Sequence, residues 1–352
     1  MRPPTRESQR ARATMTSPLD PGNPMAIIRI AAPVAAAILL AASAAAQSQS
    51  KAPAQNYPTK PIRLINPLAA GGPTDILARM VALPMSESLG KTIVVDNRPG
   101  ASGNIAAEIA AKAPPDGHTL FIAGSGNFAI NVSLFSKLPY DPVRDFTPIA
   151  LIATAPYILA AHPSVPASST KELIALAKAK PGVLNYGAVT GNGAHLAMEL
   201  FKTAAGIDIV HIPYKGAVLA NNDLLAGAVQ VTFASTPGVM PHVKTGKLKA
   251  LSISSTKRVS TLPNLPTVAE TVNGFEATVW YGLAAPAGTP RAIIDRLNRE
   301  VQAVVTNPAH RGRMIAADFE PAQTTPEQFG AFIKSEIVKW AAAVKISGAR
   351  AD

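Results

Sequence analysis

The sequence predicts an α/β chain in which a parallel sheet with helices on both faces is built twice. Three observations carry this reading. The first half alternates strand, helix, strand, helix, strand between Ile62 and Gly124. The second half repeats the alternation between Leu184 and Ala234. In each half a Gly-rich turn joins a β-branched run to a helical one: Pro67–Asp75 (PLAAGGPTD) and Ala188–His195 (AVTGNGAH). Strands alternating with helical patterns of this length belong to doubly wound parallel sheets.

Composition sets the limits. The chain has 352 residues, enough for two domains, and its 47% hydrophobic and 16% charged residues describe a globular chain with a large core. It has no Cys, so disulfides, thiolate nucleophiles and Cys metal sites are excluded. The net charge of +11 favours anions, but the charges are scattered and aromatics are 5%, so no nucleic-acid partner is expected.

The N-terminus reads as an export signal. Met1–Pro24 is basic and Pro-rich; Arg29 precedes the apolar run Ile30–Ala42, and Ala44-Ala45-Ala46 supplies an A-x-A ending. Residues 1–46 are therefore expected to be a signal peptide with an N-terminal extension, cleaved before Gln47 on export to the periplasm. Residues 47–56 are expected to be a linker.

The elements follow in order. Ile62–Asn66 is a strand. The helix after Pro67–Asp75 places Ile76, Leu77, Met80 and Val81 on one face, is kinked at Pro84 and stops at Gly90. Thr92–Asp96 is a strand, Asn97–Asn104 a Gly-rich turn opening a helix, and Leu120–Gly124 the third strand. Leu138–Phe146 is a connector and Tyr157–Ala161 a strand. Ser169 and Glu172 form a capping box for a helix that ends before Pro181-Gly182. Leu184–Gly187, Ile207–Ile212, Val229–Ala234 and Leu248–Ser254 are strands, and Trp280–Gly288 an edge segment. Thr289 caps a helix with Pro290 at its first position. Thr325-Pro326-Glu327-Gln328 opens the last helix, whose Phe329, Phe332, Ile333, Trp340 and Val344 read as core.

The candidate ligand site sits beyond the carboxyl ends of the strands, where such sheets bind. A strand-to-helix turn aims free amides and the positive end of a helix dipole at one spot, suited to a carboxylate or phosphate. Gly71, Gly72, Thr74 and Asp75 form that turn, and Ser125, Gly126 and Asn127 follow the third strand beside it. Thr74 or Asp75 could equally serve as the helix cap, and Ser125 and Asn127 as local turn partners. In the second half Gly191, Gly193 and His195 form the matching turn, with His195 either holding it or touching ligand. Tyr214 and Lys215 lie where they could close over the other side.

Catalytic signatures were sought in vain: no Walker or dinucleotide glycine pattern, no H-E-x-x-H, no G-x-S-x-G around Ser102 or Ser125, and no metal-ligand spacing among the six histidines. No cofactor, metal or catalytic residue is expected.

From Tyr57 onward the chain resembles the solute-binding proteins of tripartite tricarboxylate transporters, the Bug family. The matching stretches include YPTKPIRLINPLAAGGPTDILAR, VVDNRPGASGNIAAE, LPYDPVRDFTPIA, IPYKG, GKLKALSISSTKR and LAAPAGTP. The resemblance implies a periplasmic-binding-protein type II-like fold of two α/β lobes joined by crossing strands. Lobe 1 would combine residues 57–156 and 276–352, and lobe 2 residues 157–275. It implies a monomer that takes a small organic acid and hands it to membrane permease subunits. PLAAGG departs from a commoner PFPPGG, and Leu219 stands where the family often has Pro. A ligand sensor for a membrane kinase, and a hydrolase using Ser125 or Asp75, remain open as other readings.

Overall fold

The computed structural model describes residues 56–351; the expected signal and the linker before Asn56 lie outside them. Ten strands among the described residues form one mixed sheet ordered β2-β1-β3-β9-β4-β7-β5-β6, with β8 and β10 also paired to β4. The strands are β1 (Ile62–Asn66), β2 (Ile93–Asn97), β3 (Thr119–Gly124), β4 (Phe146–Ala161), β5 (Asn185–Val189), β6 (Val210–Tyr214), β7 (Val231–Ser235), β8 (Lys249–Ile253), β9 (Thr278–Pro286) and β10 (Glu320–Pro321).

Both faces of the first sheet are covered. Along β3, Phe121 and Ala123 join one apolar cluster with Phe128, Phe146 and Trp340, while Leu120 and Ile122 join the opposite one with Leu77, Val81 and Leu297. Alternate side chains of a strand point to opposite faces, so near-continuous apolar strands belong in a sheet buried on both sides.

β4 links the two halves. Its residues Phe146–Pro156 pair with β9, and its residues Tyr157–Ala161 pair with β7. The sequence reading had only the second part; Pro148, Pro156 and two register shifts, at Pro148/Ala150 and Leu151/Ala153, hide the first part from any regular pattern. Trp280–Gly288 is not an edge. β9 lies between β3 and β4, with Trp280 fully buried, and the strands with a single neighbour are β2, β6, β8 and β10. Gly282 makes this packing possible, because any Cβ there would collide with the Phe329 ring. The helix Pro326–Ser347 is further tied to β9 by Glu336, which accepts from Trp280 Nε1 and Trp340 Nε1 at 2.9 Å. Burial raises the Glu336 pKa.

Two of the longer helices escaped the sequence reading, Thr236–Lys244 and Pro308–Ala316. The first holds Pro241 and Gly238 inside it, and the second follows its neighbour with Asn307 as the only break. The helix Pro73–Leu89 runs through Pro84 and ends at left-handed Gly90. Its N-cap is Gly72, not Thr74 or Asp75. Pro290, not Thr289, caps the helix Arg291–Thr306, because Thr289 turns its hydroxyl back to the Pro286 carbonyl.

Strand direction fixes where the functional loops go. β9 is antiparallel to β4, and β3 antiparallel to β9, so Gly124 at the end of β3 pairs with Tyr281, near the Thr278–Pro156 crossing. β1 and β2 run parallel to β3. From the other side β7 is antiparallel to β4 and ends at Ser235 opposite Tyr157, with β5 and β6 parallel to it. The carboxyl ends of both strand sets therefore face each other across the Pro156–Tyr157 crossing.

Candidate functional site

Three loops from the first strand set meet at one place. Gly103 marks the junction: a Cβ there would lie 2.9 Å from Pro67 Cβ and 3.6 Å from Asn127 Nδ2. The first loop is shaped by Asp75. Its carboxylate accepts from the Gly71 amide at 2.9 Å, from Asn97 Nδ2 at 3.0 Å and from Arg79 Nε at 3.0 Å. The hydrogen bond from Arg79 leads in holding its pKa down to about 2, and the Gly71 and Asn97 bonds help. A carboxylate so occupied builds the loop and leaves no oxygen for a ligand donor.

What remains free in that loop is donors. The amides of Gly72, Thr74 and Asp75 meet no acceptor among the described residues, and neither does the Thr74 hydroxyl, on a residue only 5% exposed. Pro73 supplies no amide. Gly71 needs its positive φ of 79° to turn the chain, while Gly72 sits at an ordinary φ of −77°, where a built Cβ makes one ordinary contact, 3.5 Å from the Ala69 carbonyl oxygen.

The second loop was not singled out as part of the site. Gly100, Ala101, Ser102 and Gly103 are four successive residues with positive φ, at 138°, 45°, 54° and 89°. Left-handed non-glycine residues are held only where surroundings enforce them, commonly at functional sites. Here Asn131 Nδ2 grips the Ser102 carbonyl at 3.1 Å and also bonds Asn104 Oδ1 at 2.7 Å. Tyr140 Oη donates to the Asn127 carbonyl at 2.5 Å and lies 3.0 Å from Asn104 Oδ1. This buried network ties the second loop to the third. The only sequence sign was the pair of glycines in RPGASGN.

The third loop is a π-turn, Gly126–Ile130, rather than an open turn. Single π-turns recur at functional sites. Asn127 uses its Oδ1 on the Gly124 amide at 2.9 Å. Ser125 is 6% exposed and its hydroxyl has no partner among the described residues. Gly126 is exposed, with empty space where a side chain would go.

Across the crossing, Gly191, Gly193 and His195 serve one another and their neighbours. His195 Nδ1 accepts from the Gly191 amide at 3.1 Å, and Asn192 caps the helix Gly193–Ala205 by accepting the His195 amide at 2.8 Å. Burial, with the His211 ring 4.2 Å away, pulls the His195 pKa down to about 4, so the ring is neutral with its proton on Nε2. Gly193 packs against Tyr157 Oη and Gly191 against the Leu134 side chain, with no room for a Cβ. Tyr214 donates to Asp223 Oδ2 at 2.5 Å, and burial and that carboxylate push its hydroxyl up to about 12. Lys215 is exposed and finds no carboxylate among the described residues. It precedes Gly216, the uncapped start of the helix Ala217–Leu225.

Surface cavities of about 380 and 440 Å³ lie elsewhere and contain none of these residues, and one of about 580 Å³ touches only Arg79 among them, on the far side of the helix Pro73–Leu89 with Met80, Pro84 and Arg313. Among the described residues no cluster of His, Asp or Glu is arranged to hold a metal ion, and no helix is long and apolar enough to cross a membrane.

Two α/β lobes with facing loops and crossing strands define a type II-like solute-binding fold. The chain belongs to the tripartite tricarboxylate transporter family receptors, whose family model matches residues 77–348. This is a family of periplasmic solute receptors, not of enzymes. Protein BugT of Bordetella pertussis is 37% identical over 300 residues, covering 84% of this chain and 92% of that protein. The solved structure of R. palustris Rpa4515 with adipate is 37% identical with a TM-score of 0.72, over 83% of this chain and 98% of that one. MatC from Rhodopseudomonas palustris, with bound malate, is 31% identical with a TM-score of 0.67, over 82% of this chain and all of that one (100%).

Proposed function

We propose that the protein captures a small organic anion, a carboxylate, between its two lobes and delivers it to the membrane permease subunits of a tripartite tricarboxylate-type transporter. The observation that carries this is the set of unbonded donors at the meeting of three loops: the Gly72, Thr74 and Asp75 amides, and the partnerless hydroxyl of the largely buried Ser125. Amides at a helix start, with the dipole behind them, suit an anion. Structural relatives bound to adipate and to malate support the same chemistry. Lobe 1 comprises residues 57–156 and 276–352 and lobe 2 residues 157–275, and the protein works as a monomer exported by its N-terminal signal. A thermal-shift screen against a carboxylate library tests the reading, because a ligand that binds the folded state raises its melting temperature. A dose-dependent rise with at least one carboxylate is expected. No rise with any of them would overturn the reading.

A further inference from the structure

The crossing between the lobes carries two phenols whose hydroxyls the fold does not use. Tyr157 stands at the crossing itself, paired with Ser235 at the end of β7. Its backbone is pinned by fully buried Ser254. The Tyr157 amide donates to Ser254 Oγ at 2.8 Å, and its carbonyl accepts from the Ser254 amide at 2.9 Å. Ser254 also holds the other crossing segment: its hydroxyl donates to the Ala277 carbonyl at 2.7 Å, and its carbonyl accepts from the Ala277 amide at 3.0 Å. Tyr157 is thus anchored at a fixed point, and its hydroxyl lies against Gly193, the first residue of the helix Gly193–Ala205, leaving no room there for a Cβ. Tyr281 comes from β9. It pairs with Gly124, one residue before Ser125, and is 8% exposed.

Neither hydroxyl has a hydrogen-bond partner among the described residues. The polar side-chain atoms there that are both unpaired and sealed from solvent are Asn66 Oδ1 and Arg296 Nε, so the two phenol oxygens are unpaired yet open to solvent. Burial raises both pKa values, and the Tyr281 hydroxyl adds to the rise at Tyr157, so the two lie within electrostatic reach of each other and both stay protonated. A largely buried tyrosine normally bonds its hydroxyl, and phenylalanine would fill the same space without a polar group to desolvate. A hydroxyl held rigidly at the cleft with no protein partner donates to water or to a ligand oxygen that replaces it. We infer that Tyr157 and Tyr281 are ligand-contacting residues of the cleft: their hydroxyls donate to a second oxygen-bearing group of the acid, while the amides of the loop Pro67–Asp75 hold its carboxylate. The inference rests on the carboxylate reading above.

The test is calorimetric titration of the parent, Tyr157→Phe and Tyr281→Phe with acids matched in chain length: succinate and malate against butyrate, and adipate against hexanoate. The parent is expected to bind at least one of the dicarboxylates more tightly than its matched alkanoate. Each variant should lose about three- to tenfold for that dicarboxylate, roughly one hydrogen bond, and keep its affinity for the alkanoate. The melting temperature should not move, because neither hydroxyl has a protein partner to lose. Tyr57→Phe is the control at the opposite end of β3: its hydroxyl donates to the Gly117 carbonyl at 2.7 Å, so it should lower the melting temperature and leave affinity unchanged. Unchanged dicarboxylate affinity in either variant would overturn the inference. So would a loss shared equally by dicarboxylate and alkanoate, or a lowered melting temperature at unchanged affinity, which would make the phenols packing groups. Failure of every acid to bind the parent would strike the carboxylate reading, and the inference with it.

Discussion

Arg79 holds Asp75 from one helical turn away, with Nη2 3.0 Å from Oδ1 and Nε 3.0 Å from Oδ2. The pair sits behind the loop Pro67–Asp75, and through Asp75 it reaches the Gly71 amide and Asn97. An i,i+4 pair on an exposed helix face contributes little. This one differs because the carboxylate end is 5% exposed, although the guanidinium is 56% exposed.

Asp75→Asn should therefore destabilise the protein at pH 7 by about 1–2 kcal/mol, after allowing for solvent at the arginine. The folded pKa lies near 2, below the ordinary carboxylate value, so the stabilisation is present above about pH 4 and is lost as pH falls toward 2. Urea unfolding of parent and variant across that range should show the gap closing. A gap that stayed constant down to pH 2 would mean the carboxylate charge is not its source.

Gly72→Val should remove carboxylate binding and leave the fold intact. The nearest atom to a built Cβ is the Ala69 carbonyl oxygen at 3.5 Å, and φ is ordinary, so the new side chain stands in the open where the anion would approach. Gly193→Val is the control, since its side chain would collide with Tyr157 Oη and should lower the melting temperature. A folded Gly72→Val protein that bound its ligand as tightly as the parent would relocate the site.

Ser125→Ala should weaken binding by about 0.5–1.5 kcal/mol, the worth of one neutral hydrogen bond, with no effect on stability. The hydroxyl has no partner to lose within the described protein. A loss of stability without loss of affinity would make Ser125 a packing residue.

His195 gives a second pH signature. Its folded pKa is lowered to about 4, so between its ordinary value near 6.5 and about 4 the unfolded chain binds a proton that the folded one refuses. Stability should fall by about 3 kcal/mol as pH drops through that window and level off below it. His195→Gln should flatten this part of the profile. An unchanged slope in the variant would assign it to other groups, His211 first, whose pKa is also lowered by burial.

How far the sequence could be read depended on how local the causes were. The Thr325 cap with Pro326 behind it and the Gly90 stop appear as expected, because caps are decided within a few residues, while of the Ser169–Glu172 capping box only the Ser169 half forms, Glu172 accepting from the Ser168 amide instead. The first half of β4 and the central place of β9 were not legible, since pairing partners more than 100 residues apart leave no local pattern. The site followed the same rule. Gly71, Gly72, Thr74 and Ser125 announce themselves as turn residues after strands. The Tyr140–Asn104–Asn131 network and the left-handed Ala101-Ser102 depend on contacts that only the folded chain supplies. Asp75 was visible, yet its engagement by Arg79, Gly71 and Asn97 at once was not.

The place of β9 in the sheet has a consequence for how the protein comes into being. β3 and β4 are neighbours in sequence but not in space, and the slot between them is filled only by Thr278–Pro286. On a ribosome that slot stays vacant until most of the chain has been made, leaving two facing rows of unpaired amides and carbonyls on the nascent first sheet. The Phe329 and Trp340 side chains that cover β9 arrive later still. The part of the sheet built on β1, β2 and β3 therefore lacks its fourth neighbour during early synthesis, and its hydrogen-bond ladder is completed only when the end of the chain has emerged.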